Sequence, residues 1–180
     1  GTPTTDAEYA GELTLSPSQF ERALACPLRW FLTTIGADGP SNAAASLGTL
    51  IHAVAEEHPH GTPEELTEAL EARIEELGYN LDTWAGRVAD RHARDIVNNL
   101  ASYLEGIPGP VEVEQTVSAQ VEGVTIRGRM DRLEHVDEGV RVTDLKTGKS
   151  GYSAKTVPDN PQLAAYQMAL LASGKRVAGA

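Results

Sequence analysis

The hydrophobic period of this sequence changes once, at Pro110, and that change limits the possible folds more than any other feature. Before it, apolar residues recur at the 3.6-residue spacing of amphipathic helices. After it, valines alternate with polar residues over 111–119, as in a half-buried strand. The chain is therefore predicted to combine a helical first part with a strand-rich second part.

Composition places the chain among ordinary globular proteins. It has 180 residues, of which 41% are hydrophobic and 23% charged, so one domain is expected and wholesale disorder is excluded. No apolar run approaches the roughly 20 residues of a membrane span, and the first residues lack the basic and apolar regions of a signal peptide. The single cysteine, Cys26, cannot form an internal disulfide, so a reducing, cytoplasmic location is predicted.

Charge is abundant and unevenly distributed. Fifteen Lys and Arg against 26 Asp and Glu give a net charge of −11, which argues against binding nucleic acid by bulk charge alone. Residues 56–76 hold eight Glu and one basic residue, whereas residues 127–155 hold seven Lys or Arg against five acids. A polyanionic substrate is expected to approach the second region.

The N-terminal part predicts one capped helix and its anchor. Residues 1–13 lack periodicity and are predicted to be a tail or linker, which leaves 14–180 as the domain. Ser16 and Gln19 form a capping box around Pro17, so a helix is expected to begin there and to end before Pro27. Four apolar residues that follow are expected to anchor it: Trp30, Phe31, Leu32 and Ile35.

Three further helices are predicted before Pro110. A helix over about 46–57 carries a buried stripe and places His52 off that stripe, beside small neighbours. A second capping box at Thr62 begins another helix, and a longer helix covers about 83–105. Residues 60–105 therefore look like a helical hairpin inserted in the domain.

The strand-rich part brings chemically active side chains together. Strands are expected over 124–134 and 140–147, with a turn near 137–139 that places Asp131 opposite Asp144. Directly opposed residues have Cβ atoms about 5 Å apart, and Lys146 lies on the same face as Asp144. Two carboxylates so close repel unless a cation lies between them, and oxygen ligands suit Mg²⁺ or Mn²⁺. A surface lattice of salt bridges is the alternative.

Three other polar residues have two interpretations each. Gln162 and Tyr166 share one stripe of a helix capped by Asn160, either to shape a site or as part of a half-buried amphipathic helix. His52 is either a ligand or a solvent-facing helical histidine. Glu114 is either an additional acid of the site or a solvated strand residue.

Taken in order, these segments resemble the RecB-like branch of the PD-(D/E)XK nuclease superfamily, as found in AddAB- and AdnAB-type helicase–nucleases and RecB-family exonucleases. The matching segments are LSPSQ (15–19), CP (26–27), WF (30–31), LGTLIH (47–52), GRMDRL (128–133), DLKTG (144–148) and QLAAY (162–166). The resemblance implies an α/β fold with a mixed central β-sheet flanked by helices. Because the family core continues with further strands, it also implies truncation at the C-terminus.

The resemblance also implies roles for individual residues. It implies that His52, Asp131, Asp144 and the Leu145 backbone carbonyl bind Mg²⁺ or Mn²⁺. Lys146 would position or activate the attacking water and offset charge on the phosphate. For Gln162 and Tyr166 it implies that they shape the site and contact the DNA backbone.

At the level of function, the resemblance implies a bacterial, metal-dependent DNA exonuclease of recombination and repair. Its partners would be DNA and a helicase subunit or an upstream helicase domain, with no membrane. The alternative is a catalytically silent nuclease-fold module that guides DNA or scaffolds a helicase, although such relatives have typically lost the Asp or Lys present here. An acidic interaction domain is a third possibility, suggested by charge alone. Some relatives carry an iron–sulfur cluster on four cysteines, which this chain cannot form; Cys26 is a candidate single ligand only if cysteines follow beyond Ala180.

Overall fold

The computed structural model describes residues 11–36, 43–76, 80–107, 109–147 and 156–180. Its elements in chain order are β1 (Leu13–Leu15), α1 (Pro17–Ala25), α2 (Pro27–Thr34), α3 (Ala43–Glu57), α4 (Pro63–Glu76), α5 (Trp84–Glu105), β2 (Val111–Val121), β3 (Val124–Val136), β4 (Gly139–Thr143), α6 (Pro161–Ala172) and β5 (Val177–Gly179). Helices dominate before Pro110 and strands after it, as the change of period predicts.

The sheet is built around β3. Strand β2 runs antiparallel along one edge of β3, while the other edge is shared by β1, parallel beside residues 124–126, and β4, antiparallel beside 132–136. Strand β5 adds to β4 in parallel. The expected mixed central sheet flanked by helices is thus confirmed. In the described part of the chain, no strand pairs with residues 127–131 on the shared edge, and this gap contains Asp131.

The predicted hairpin register is confirmed, but the third strand is shorter than predicted. Arg132 pairs with Thr143 and Glu134 with Arg141, which is the register in which Asp131 faces Asp144. The prediction that this strand reaches 147 is wrong, because the ladder ends at Thr143. The reason is local: the Leu145 N–H donates to the Asp131 carboxylate at 2.7 Å, so the chain leaves the ladder there.

Helix starts follow the predicted caps. Both capping-box hydrogen bonds between Ser16 and Gln19 are present, and Thr62 and Glu65 make the same reciprocal pair before α4. Asn160 accepts from the Leu163 N–H at the start of α6. Strand β1 was not predicted, and it overlaps the predicted tail 1–13 at Leu13; residues 1–10 of that tail lie outside the described residues.

Two hydrophobic cores hold the fold. The first joins α3, α4 and α5 and includes the predicted stripe of α3; the second joins the sheet to α6. The anchor predicted in α2 is wrong, since Phe31, Leu32 and Ile35 are exposed and the helix packs mainly along α1. Among the helices in the described ranges, none is both long and apolar enough to cross a membrane.

Candidate metal centre and active site

Three potential metal ligands converge at the gap in the sheet. Glu114 on β2 and Asp131 on β3 both lie between the paired positions Val113–Arg132 and Gln115–Met130. Helix α3 brings His52 beside them, with its Nδ1 3.4 Å from Asp131 Oδ1. One ligand atom of each residue lies within 4.8 Å of the others. We call these three residues the carboxylate–imidazole cluster.

Glu114 joins the cluster through an unusual backbone. Its φ is +54°, a left-handed conformation that a residue with a side chain seldom adopts inside a strand and that costs on the order of 1–3 kcal/mol. Its side chain is only 11% exposed, and its carboxylate forms an ion pair with Arg129. The sequence left open whether Glu114 is an acid of the site or a solvated residue, and the structure places it in the carboxylate–imidazole cluster.

The electrostatics of the cluster favour a bound cation. The hydrogen bond with Asp131 raises the pKa of His52, although burial opposes the rise. Burial also raises the pKa of Glu114, with the Asp131 charge adding to it and Arg129 opposing it. Two partly buried carboxylates and an imidazole are a donor set that fits a divalent cation, whose charge would offset the cost of keeping both acids ionised.

Asp144, Lys146 and Gln162 form a second unit, here called the Asp144–Lys146–Gln162 ring. Lys146 Nζ lies 2.5 Å from Asp144 Oδ2 and donates to Gln162 Oε1 at 2.7 Å, while Gln162 Nε2 donates to Asp144 Oδ1 at 2.7 Å. Gln162 is buried in the first turn of α6, which Asn160 caps. The cap and the helix therefore fix the amide that orients the other two side chains.

The ring and the cluster are adjacent but distinct. Asp144 does not belong to the carboxylate–imidazole cluster; burial raises the pKa of its carboxyl, and the ion pair with Lys146 opposes that rise. Leu145 stands between Asp144 and Lys146 in the chain. It joins the two units because its N–H donates to the Asp131 carboxylate. That Asp144 and the Leu145 carbonyl ligate the metal stays a prediction.

Tyr166 fills the gap beside β3 from the α6 side. It is buried, and its hydroxyl donates to the Arg129 carbonyl at 2.6 Å, where a strand would otherwise pair. Burial raises its pKa to about 12, with the charges of Asp144 and Asp131 adding to the effect, so the hydroxyl keeps its proton at neutral pH. Gly128 makes room for this ring, since a Cβ there would lie 3.2 Å from Tyr166 and 2.5 Å from Pro17.

Sequence reasoning missed a buried ionic network behind the site. Arg132 and Glu134 are fully buried, and Tyr103 on α5 donates to Glu134 Oε1 at 2.7 Å while its hydroxyl lies 2.9 Å from Thr143 Oγ1. Arg141 donates to the other oxygen of Glu134 at 3.1 Å. The register predicted for Asp131 and Asp144 also pairs Glu134 with Arg141, so the signal was present in the sequence.

The fold and the site together point to the class of metal-dependent nucleases. The mixed sheet has a central hairpin that carries acids and a lysine beside a candidate cation site. Residues 14–180 match the family model of the PD-(D/E)XK nuclease superfamily, and the chain belongs to that superfamily. Its segment Asp144-Leu145-Lys146 has the (D/E)-x-K form. Comparison with curated proteins gave no match.

Proposed function

We propose that this chain is a Mg²⁺-dependent DNA exonuclease of the RecB-like branch, serving a bacterial helicase–nuclease in double-strand-break repair and recombination in the cytoplasm. The observation that carries the proposal is the adjacency of the carboxylate–imidazole cluster and the Asp144–Lys146–Gln162 ring. Membership of the superfamily supports hydrolysis of phosphodiester bonds. The ordered motifs of the sequence support the RecB-like branch, and with it exonuclease action and a helicase partner.

The chemistry needs an attacking water, a place for the charge of the phosphate, and a stabilised leaving group. A divalent cation, when bound, lowers the pKa of water and polarises the phosphate. His52, Glu114 and Asp131 would hold it, joined by Asp144 and the Leu145 carbonyl if these ligate as predicted. His52 Nδ1 and Asp131 Oδ1 lie 3.4 Å apart, so two of these ligand atoms already stand side by side for a shared cation.

Lys146 supplies a positive charge without ligating a metal. Its ammonium is held between Asp144 and Gln162, so it is oriented in advance and needs little reorganisation during the reaction. From there it can direct the attacking water and offset charge that develops on the phosphate oxygens. Gln162 and Tyr166 keep the acids and the β3 backbone in place, and their contact with the DNA backbone is part of the proposal.

The test uses two matched aspartates of one hairpin. Asp144→Ala should abolish Mg²⁺-dependent degradation of linear DNA and leave the fold intact, because it removes a partly buried carboxylate and no apolar packing. Asp137, exposed at the hairpin turn, provides the control Asp137→Ala, which should behave as wild type. Covalently closed circles should resist the wild type, since an exonuclease needs an end. Full activity of Asp144→Ala would reject the site, and rapid cutting of circles would reject exonuclease action.

The helicase partner and the silent-module alternative have their own outcomes. If a helicase delivers the substrate, ATP-dependent degradation of linear duplex in extracts should disappear when Asp144→Ala replaces the natural residue. A chain that degrades no DNA with Mg²⁺ or Mn²⁺, yet is still required for helicase activity in those extracts, would identify the silent module instead.

A further inference from the structure

In the described part of the chain, Arg129 is the only Lys or Arg that forms an ion pair with the carboxylate–imidazole cluster. Its guanidinium binds the Glu114 carboxylate, while 66% of its side chain remains exposed. Arg129 lies two positions from Asp131 along β3, and therefore on the same face of the sheet. A guanidinium has donors and no acceptor, so Arg129 borders the candidate cation site without offering it a ligand atom.

The backbone of Arg129 is fixed, but its side chain is not enclosed. Arg129 pairs with Thr116 in the ladder, and its carbonyl accepts from the Tyr166 hydroxyl at 2.6 Å. Its side chain lines a cavity of about 520 Å³ that the three cluster residues also line. The guanidinium can leave Glu114 by rotation about its side-chain bonds. Water can then solvate it at little cost, because exposed ion pairs contribute little to stability.

Charge decides between Arg129 and a divalent cation as the partner of Glu114. The carboxylates of Glu114 and Asp131 balance a divalent cation by themselves, and Asp144 of the adjacent ring is already paired with Lys146. If the guanidinium stayed on Glu114 as well, the cluster would carry an excess positive charge, and two like charges on one carboxylate repel. Burial raises the pKa of Glu114 and the Arg129 charge opposes the rise, so the arginine stands in for a cation at this carboxylate.

We propose that Arg129 is a displaceable counter-ion: a divalent cation takes its place on Glu114, and the released guanidinium then binds a phosphate of the substrate. The proposal rests on the proposed nuclease function and adds an order of events, since the arginine can take a phosphate only after the cation has bound. A guanidinium suits this second partner, because its fork of N–H donors matches phosphate oxygens in pairs. Among the described residues that line the cavity, no other Lys or Arg can make that contact.

The first measurement is the affinity for Mn²⁺ without DNA, by calorimetric titration. Arg129→Gln removes the competing charge, so Mn²⁺ should bind about two- to fivefold more tightly, the factor that corresponds to one exposed ion pair. Arg129→Lys keeps a competing cation and should stay close to wild type. Arg127→Gln is the matched control, because Arg127 is exposed on the same strand and loses the same charge but does not line the cavity. It should bind Mn²⁺ as wild type does.

The second measurement is the salt dependence of DNA binding, by fluorescence anisotropy at low salt. The probe is a DNA hairpin with a single-stranded end, and its linkages are phosphorothioates, which resist hydrolysis. Each phosphate contact contributes about 0.7–0.9 to the slope of log K against log salt. The slopes of wild type and Arg129→Gln should be equal in EDTA, where Glu114 holds the arginine, and should differ by one such contact in Mn²⁺. Any change of slope in Arg127→Gln should be the same in both conditions.

These outcomes separate the counter-ion proposal from the proposed function. Tighter Mn²⁺ binding by Arg129→Gln, together with a slope difference that appears only in Mn²⁺, would support displacement even if ordinary DNA is not hydrolysed, a result that would reject the nuclease function alone. Weaker Mn²⁺ binding by Arg129→Gln would mean that the arginine holds Glu114 in its ligating position, and it would overturn the proposal. Equal Mn²⁺ affinities in Arg129→Gln and Arg127→Gln, or a slope difference already present in EDTA, would overturn it as well.

Discussion

At the scale of single residues, Lys146 should separate metal binding from chemistry. Lys146→Ala removes an ammonium that cannot ligate a cation when protonated, so the affinity for Mn²⁺ should stay or rise slightly. The rate should fall by about 10²–10³, the loss seen when one preorganised donor is removed from other active sites. Calorimetric titration with Mn²⁺ and hydrolysis of linear DNA measure the two effects.

The control for this prediction is Lys175→Ala, because Lys175 is exposed and lies outside the ring. It should leave both measurements at wild-type values. Loss of Mn²⁺ binding in Lys146→Ala would mean that the lysine holds Asp144 in place structurally. An unchanged rate would mean that this strand end is not catalytic.

Glu114 gives a second prediction at this scale. Glu114→Gln keeps the size of the side chain but removes the charge from the carboxylate–imidazole cluster. Loss of a residue that only supports a metal ligand already lowers metal affinity about tenfold. Loss of charge on a ligand should therefore lower the Mn²⁺ affinity by at least that factor. Glu112→Gln, two residues earlier and paired with His135 on the surface, is the matched control and should bind Mn²⁺ as wild type does. Equal affinities in the two variants would remove Glu114 from the metal site.

The sequence predicted which residues form the candidate site better than it predicted their positions and the hydrogen bonds between them. The alternation of the hairpin was enough to place Asp131 opposite Asp144, because side-chain period and turn position fix the register. It could not decide the position of Glu114, since that depends on one left-handed φ inside a strand. Nor could it show that the Leu145 N–H replaces a ladder bond with one to Asp131, because such a bond depends on tertiary geometry.

At the scale of elements, Gly128 controls how α1 and α6 pack on β3. Gly128→Ala would bring a Cβ against Pro17 and Tyr166, and overpacking of this kind costs about 1–3 kcal/mol. The free energy of unfolding in urea should fall by that amount. Gly106→Ala is the control: Gly106 has φ −82°, and a Cβ added there would lie 3.4 Å from the Tyr103 carbonyl oxygen, an ordinary contact. Equal stability of both variants would show that the helices can shift without cost.

Among the elements, the helix starts were the most predictable features. Strand β1 and the exposed surface of α2 were the least predictable. The caps at Ser16, Thr62 and Asn160 are local, because each side chain bonds to a backbone a few residues away. Strand β1 has three residues, too few for a two-residue period to be recognised. The exposure of Phe31 in α2 depends on which elements reach that helix, and nothing in its own sequence encodes that.

At the scale of the whole molecule, charge should limit the affinity for DNA. A net charge of −11 opposes association with a polyanion, and the basic residues near the site offset it only in part. The isolated chain is expected to bind duplex DNA weakly, and more weakly as salt rises. Fluorescence anisotropy over a salt series measures this. Tight duplex binding that salt does not change would contradict it.

Metal binding should also be visible as stability. A cation that binds only the folded chain at about 100 times its Kd adds about 2.7 kcal/mol to the free energy of unfolding. Mn²⁺ should therefore raise the Tm by several degrees, and EDTA should reverse the shift. In Glu114→Gln the shift at the same Mn²⁺ concentration should be smaller. A Tm that does not respond to Mn²⁺ would reject the cation site independently of any nuclease assay.

The Tyr103 hydroxyl connects the helical hairpin of α4 and α5 to Glu134 and Thr143 of the sheet. The hairpin therefore cannot be replaced without affecting the sheet. Replacing that hairpin with a short linker would leave Glu134, which lies between Arg132 and Arg141, without its neutral donor, and would release Thr143 one residue before Asp144. A chimera that grafts a foreign hairpin onto this sheet should therefore carry a tyrosine at the same helical position. Without it, the graft is expected to alter the end of β4, next to Asp144, as well as the outer surface.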